Sequence, residues 1–105
     1  MSWPNTDDGD VFRRLEAAGF DFSKEWPVDY DVDFSTWPPA KEAMELLTSK
    51  YPNVEFVASI EDFSGYGTFQ IVGKLDYATV VATQRDVSLL MSPFGGVCES
   101  WGVLH

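Results

Sequence analysis

Asp29, Asp31 and Asp33 stand at every second position, and no other stretch of the sequence concentrates ionisable side chains at so regular a spacing. An Asp-x-Asp-x-Asp run opens many calcium loops, but such a loop needs Gly at its sixth position and Glu at its twelfth. Phe34 and Ala40 occupy those places here. The residues between and around the acids, Val28, Tyr30, Val32 and Phe34, are apolar, which is the alternation of a half-buried strand. On a strand the three carboxylates project from one face about 7 Å apart and repel one another. Two readings fit. One is a solvated face whose charge guards against aggregation. The other is a row of acids that receives Arg or Lys from a protein partner. Asp is depleted in strands, so three in succession call for a reason.

Glu99 and Trp101 extend the second reading. In a regular closing strand Val97, Glu99 and Trp101 share a face, and a tryptophan beside carboxylates can stack an arginine whose charge they neutralise. Core packing is the alternative role for Trp101. Trp3, Trp26 and Trp37 each precede a proline and pin loop starts. Cys98 and His105 are the only cysteine and the only histidine, so a catalytic pair of the two would have to use the chain terminus. A packed thiol and a frayed terminal imidazole explain both without chemistry. A lone cysteine also rules out an intrachain disulfide framework and any zinc site of several thiolates. The acids Asp7 and Asp10, or Glu61 and Asp62, fall where helix starts and turns favour carboxylates. Gly65-Tyr66-Gly67 joins two strand-like runs instead of opening a helix, so it shapes a hairpin and cradles no phosphate. No catalytic residue, metal site or cofactor is expected.

The elements that must position these residues follow from periodicity. Residues 7–20 read as a short helix, with carboxylates at its start, a buried stripe of Val11, Phe12, Leu15 and Ala18, and Gly19-Phe20 suited to a Schellman end. A loop over 22–27 leads to the strand 28–34. Pro38 and Pro39 start a second helix lined by Ala40, Ala43, Met44, Leu47 and Tyr51, with Lys41 and Glu45 paired on its far side. Strand-like runs at 54–60 and 68–72 form a hairpin. A third helix begins near Asp76, carries Tyr77, Val80, Val81, Gln84, Val87, Leu90, Met91 and Phe94 at helical spacing, and stops at Pro93 and Gly95-Gly96. Residues 97–103 close the chain as a strand. From the second element the order is β-α-β-β-α-β, the α+β pattern of the ferredoxin-like fold, a four-stranded antiparallel sheet with helices on one face, here preceded by an extra N-terminal helix.

The 105 residues make one domain, and eight Phe, four Trp and four Tyr supply apolar area for its core. Seventeen acids against seven bases leave a formal charge of −10, which opposes direct binding to nucleic acid or an anionic membrane. Residues 1–62 hold fourteen of the acids and five of the bases, so an electrostatic partner faces the first half. No secretory leader and no run of eighteen apolar residues is present, which together with the lone cysteine points to the cytoplasm.

Two stretches resemble a known family. Asp8-Gly9-Asp10-Val11-Phe12-Arg13-Arg14-Leu15-Glu16-Ala17-Ala18-Gly19-Phe20-Asp21-Phe22-Ser23-Lys24 is similar to the opening motif of the regulator of ribonuclease E activity B domain. Gly95-Gly96 through Glu99-Ser100-Trp101-Gly102 is similar to its closing motif. The resemblance implies a ferredoxin-like fold and a non-catalytic protein that binds ribonuclease E and lowers its activity. It carries no catalytic residues. Against longer members, these 105 residues show neither their helical N-terminal extension nor their acidic C-terminal tail. The resulting expectation is an acidic adaptor for a basic, Arg-rich protein segment, of ribonuclease E or an associated protein. Its partner surface would hold Asp29, Asp31, Asp33, Glu99 and Trp101. The rival readings are a small-molecule site or minor enzyme between sheet and helices, and a homo-oligomerising module.

Overall fold

The computed structural model describes residues 3–58 and 65–103. Its elements are helix α1 (Asp7–Ala17), strand β1 (Glu25–Phe34), helix α2 (Lys41–Lys50), strand β2 (Glu55–Val57), strand β3 (Tyr66–Lys74), helix α3 (Tyr77–Met91), a 3-10 turn (Ser92–Phe94) and strand β4 (Gly96–Val103). The fold is α+β: three α-helices accompany one four-stranded antiparallel sheet of order β2-β3-β1-β4.

Local chemistry explains the helix ends. The Thr6 hydroxyl accepts the Gly9 amide and caps α1. At its other end Gly19 adopts a φ of 80°, and the Phe20 and Gly19 amides donate to the Leu15 and Glu16 carbonyls. That is the expected Schellman pair. Asp76 caps α3 by accepting the Thr79 amide at 3.0 Å. α2 starts at Lys41, later than expected, and the prolines lie before it, with Trp37-Pro38 in cis. Lys41 and Glu45 pair as expected.

β1 is longer than its alternating run. Glu25, Trp26 and Pro27 belong to it and pair with Lys74, Gly73 and Val72 of β3. β3 starts earlier than expected. Tyr66 and Gly67 are strand residues opposite Asp33 and Val32, not turn residues. Of the run 54–60, Glu55–Val57 is strand; Ser59 and Ile60, like Glu61, Asp62 and His105, lie outside the described residues.

Val28, Tyr30, Val32 and Phe34 are all buried, and they point toward the helices. Tyr51, just beyond α2, stacks on Phe69 of β3 at 3.9 Å between ring centroids, and Phe69 stacks on Tyr30 at 5.4 Å. Leu47 of α2 is buried over Gly67. α3 buries Val80, Gln84, Val87 and Met91. α1 brings Phe12, fully buried, against Trp3, Phe22, Tyr77 and Trp101. The tryptophans before prolines do pin the chain: Trp3 packs on Phe12 and Phe22, Trp26 donates its indole N–H to the Asp21 carbonyl at 2.8 Å, and Trp37 meets Phe34. No described helix is long and apolar enough to cross a membrane.

Candidate functional site

Burying one side of β1 turns its other side outward, because strand side chains alternate. Asp29, Asp31 and Asp33 therefore lie on the sheet face opposite the helices, where no described residue forms an ion pair or side-chain hydrogen bond with them. The register supplies their neighbours. Gln70 stands opposite Asp29, Thr68 opposite Asp31 and Tyr66 opposite Asp33. One strand further, Glu55 stands opposite Thr68 and Val57 opposite Tyr66. The Asn53 side chain donates to the Gln70 carbonyl at 3.0 Å and fixes the start of β2 against β3.

These residues outline a groove of about 550 Å3, lined by Asp29, Asp31, Asn53, Glu55, Tyr66, Thr68 and Gln70 among others. Glu25 continues the acidic side along β1, while Lys74 is the basic residue that β3 places on this face. The hollow between the sheet and α3, bordered by Val28, Tyr30, Thr79 and Val80, holds about 50 Å3. Ligand sites generally need about 300 Å3 or more. Among the described residues no group of three His, Cys, Asp or Glu side chains is arranged to hold a metal ion.

Glu99 and Trp101 do not share a face in the way a regular strand requires. Asp31 pairs with Ser100 but Val32 pairs with Cys98, so Glu99 is the extra residue of a β-bulge. The bulge shifts the alternation by one. Glu99 stays exposed, whereas Trp101 pairs with Tyr30 and turns to the helix side. There its ring lies 5.4 Å from Phe12 and its indole N–H donates to the Asp8 carboxylate at 2.8 Å. The other Asp8 oxygen accepts from the buried Gln84 at 3.1 Å. The structure thus separates Trp101 from Asp29, Asp31 and Asp33. It adds Asn53, Glu55, Tyr66, Thr68 and Gln70, which only the β1-β3-β2 register brings to the acids.

Cys98 is buried beneath the acidic row. Burial first, then the negative charges of Asp31, Asp33 and Glu99, pushes its thiol up to about 12. A thiol held protonated so firmly is a poor nucleophile. Ser88 of α3 accepts the Cys98 amide at 2.9 Å and donates to its carbonyl at 3.2 Å, which fixes the strand there. Burial also raises Tyr30 and Tyr51. At the loop before β1, bonds from the Ser23 hydroxyl and amide hold the Asp21 carboxyl below its ordinary range.

No curated protein matches the chain. The family model for regulator of ribonuclease activity B, RraB, matches residues 5–103, which takes in both motif stretches, α1 and every strand of the sheet. The chain belongs to the regulator of ribonuclease activity B family.

Proposed function

We infer that this protein is a non-catalytic regulator that binds a basic, Arg-containing segment of ribonuclease E, or of a protein associated with it, on the open face of its sheet. The observation that carries the reading is the row Asp29, Asp31 and Asp33, with which no described residue forms an ion pair, on a sheet face to which β1 and β2 bring further acids, Glu25 and Glu55, and β3 one base, Lys74 opposite Glu25. Family membership supports a ribonuclease as the partner. A basic segment held on this face cannot at the same time hold RNA, so occupancy alone lowers cleavage. The net charge of −10 keeps the protein itself off RNA, DNA and anionic membranes. We read the whole chain as one cytoplasmic domain of ferredoxin-like type with α1 added at its start; the strand order β2-β3-β1-β4 supports that classification.

The test is an RNA cleavage assay with purified ribonuclease E at low ionic strength. Excess protein slows cleavage, and a variant carrying Asp29→Asn, Asp31→Asn and Asp33→Asn slows it less. Equal inhibition by the two proteins places the contact elsewhere. No inhibition by either removes the reading.

A further inference from the structure

We propose that the groove on the β1-β3-β2 side of the open face reads individual arginine side chains, and that Tyr66, Asp31 and Glu55 form the reading position around Thr68. The proposal rests on the reading of this face as a site for a basic protein segment and specifies where on it, and by what chemistry, that segment is recognised.

Thr68 has Asp31 as its cross-strand neighbour on one side and Glu55 on the other. Adjacent strands lie about 4.8 Å apart, so the two acids flank the threonine with their backbones about 10 Å from each other. A cation above Thr68 therefore has a carboxylate on each flank. An ammonium is compact and approaches one carboxylate closely only by leaving the other. A guanidinium is a planar fork with donors on several edges, so it can serve both acids at once.

Tyr66 supplies the third element. It precedes Thr68 on the same face, between Asp33 and Val57. It is half-buried, so its ring is presented at the groove without being sealed in the core. An aromatic face beside paired acids favours a stacked guanidinium over an ammonium. Gln70 and Asn53 complete the wall with neutral hydrogen-bonding groups, and the Asn53 contact to the Gln70 backbone holds that wall in place.

The geometry also says where the segment does not go. On the β4 side of the acidic row, the bulge at Glu99 breaks the register and turns Trp101, the one aromatic residue of β4, to the helices, so β4 puts an exposed acid beside Asp31 but no ring. The segment runs over β3 and β2, not over β4.

The experiment uses the full chain and two fluorescent peptides, one alternating Arg and Ser, the other alternating Lys and Ser, titrated at low ionic strength. The wild-type protein binds the Arg peptide about tenfold more tightly than the Lys peptide, the difference expected of two charge-assisted bonds against one. Glu55→Gln and Asp31→Asn each weaken the Arg peptide by up to about fivefold. Tyr66→Leu brings the Arg peptide down toward the Lys peptide. Glu99→Gln removes one charge on the other side of the row and changes affinity less than about twofold. Thr68→Lys places a cation on an exposed strand position at the centre of the groove and abolishes binding. It serves as the second blocking variant should Tyr66→Leu fail to fold, which its melting curve reveals. Equal affinity for the two peptides, equal loss in Glu99→Gln and Glu55→Gln, or full binding by Thr68→Lys overturns the proposal while leaving a basic-segment site intact. Failure of the wild-type protein to bind either peptide overturns the underlying reading as well.

Discussion

The indole N–H of Trp101 donates to the Asp8 carboxylate at 2.8 Å, joining the last strand to the first turn of the first helix across 93 residues of sequence. The second Asp8 oxygen holds Gln84 of α3, so one side chain ties three elements. Asp8→Ala leaves both donors without their acceptor, at a cost of about 1.5 to 3 kcal/mol for bonds to a charged group. Asp8→Asn keeps one acceptor oxygen and loses less. Trp101→Phe keeps the ring packing on Phe12 and loses the bond. Urea denaturation of the two single variants, Asp8→Ala and Trp101→Phe, and their double variant should give a coupling energy of about 1 kcal/mol or more. A coupling near zero shows that the bond adds nothing to packing.

Replacing Asp29, Asp31 and Asp33 together by Asn leaves the shape of β1 intact and removes three like charges from one strand face. Thermal unfolding at low salt should give a melting temperature equal to or above that of the wild type, and the difference should shrink as salt screens the repulsion. A clear fall in melting temperature at all salt concentrations means that the acids support the fold.

Cys98 makes stability depend on pH in the alkaline range. Its thiol ordinarily titrates near 9 and is pushed up to about 12 in the fold. Above pH 9 the unfolded chain therefore releases a proton that the native state retains, and unfolding gains. The contribution is complete below pH 9 and lost progressively up to pH 12, in all a few kcal/mol. Tyr30 and Tyr51, raised in the same sense, add to the loss above pH 10. Denaturant midpoints measured from pH 8 to pH 11 should fall, and Cys98→Ala should fall less steeply. Identical slopes exclude the thiol as a cause.

Ser88→Ala deletes a hydroxyl that serves both the amide and the carbonyl of Cys98. Two half-buried backbone groups lose their protein partner, so about 1 to 3 kcal/mol of stability should go. For a domain of this size that is a drop in melting temperature of roughly 4 °C or more. Amide exchange at Cys98 should accelerate in the variant. An unchanged exchange rate means that water replaces the hydroxyl without penalty.

How much of this was legible in the sequence varies with the range of the interaction. The alternation in 28–34 fixes which side of β1 is buried, since period two is a local property, and the end of α1 is readable in Gly19-Phe20 for the same reason. Tyr66 and Gly67 mislead because paired glycines signal a turn, while here Gly67 makes room over which Leu47 and Phe56 pack. Trp26 and Pro27 read as loop because nothing local reveals that Gly73 and Val72 of β3 pair with them. Regular alternation puts Trp101 on the acidic face. The bulge at Glu99 that reverses it has no residue signature, because it is defined only against the pairing of Asp31 and Val32. Glu55, Thr68 and Tyr66 were illegible as neighbours of the acids, since the register across three strands is a property of the assembled sheet.

The Ser88 hydroxyl stands where a neighbouring strand would place its own amide and carbonyl against Cys98. β4 is the outermost strand on its side of the sheet, and at its middle that margin is already occupied by a group belonging to the same molecule. A foreign chain could extend the sheet past β4 only by evicting this hydroxyl, which disfavours lateral strand addition there and leaves the flat of the sheet as the more accessible approach.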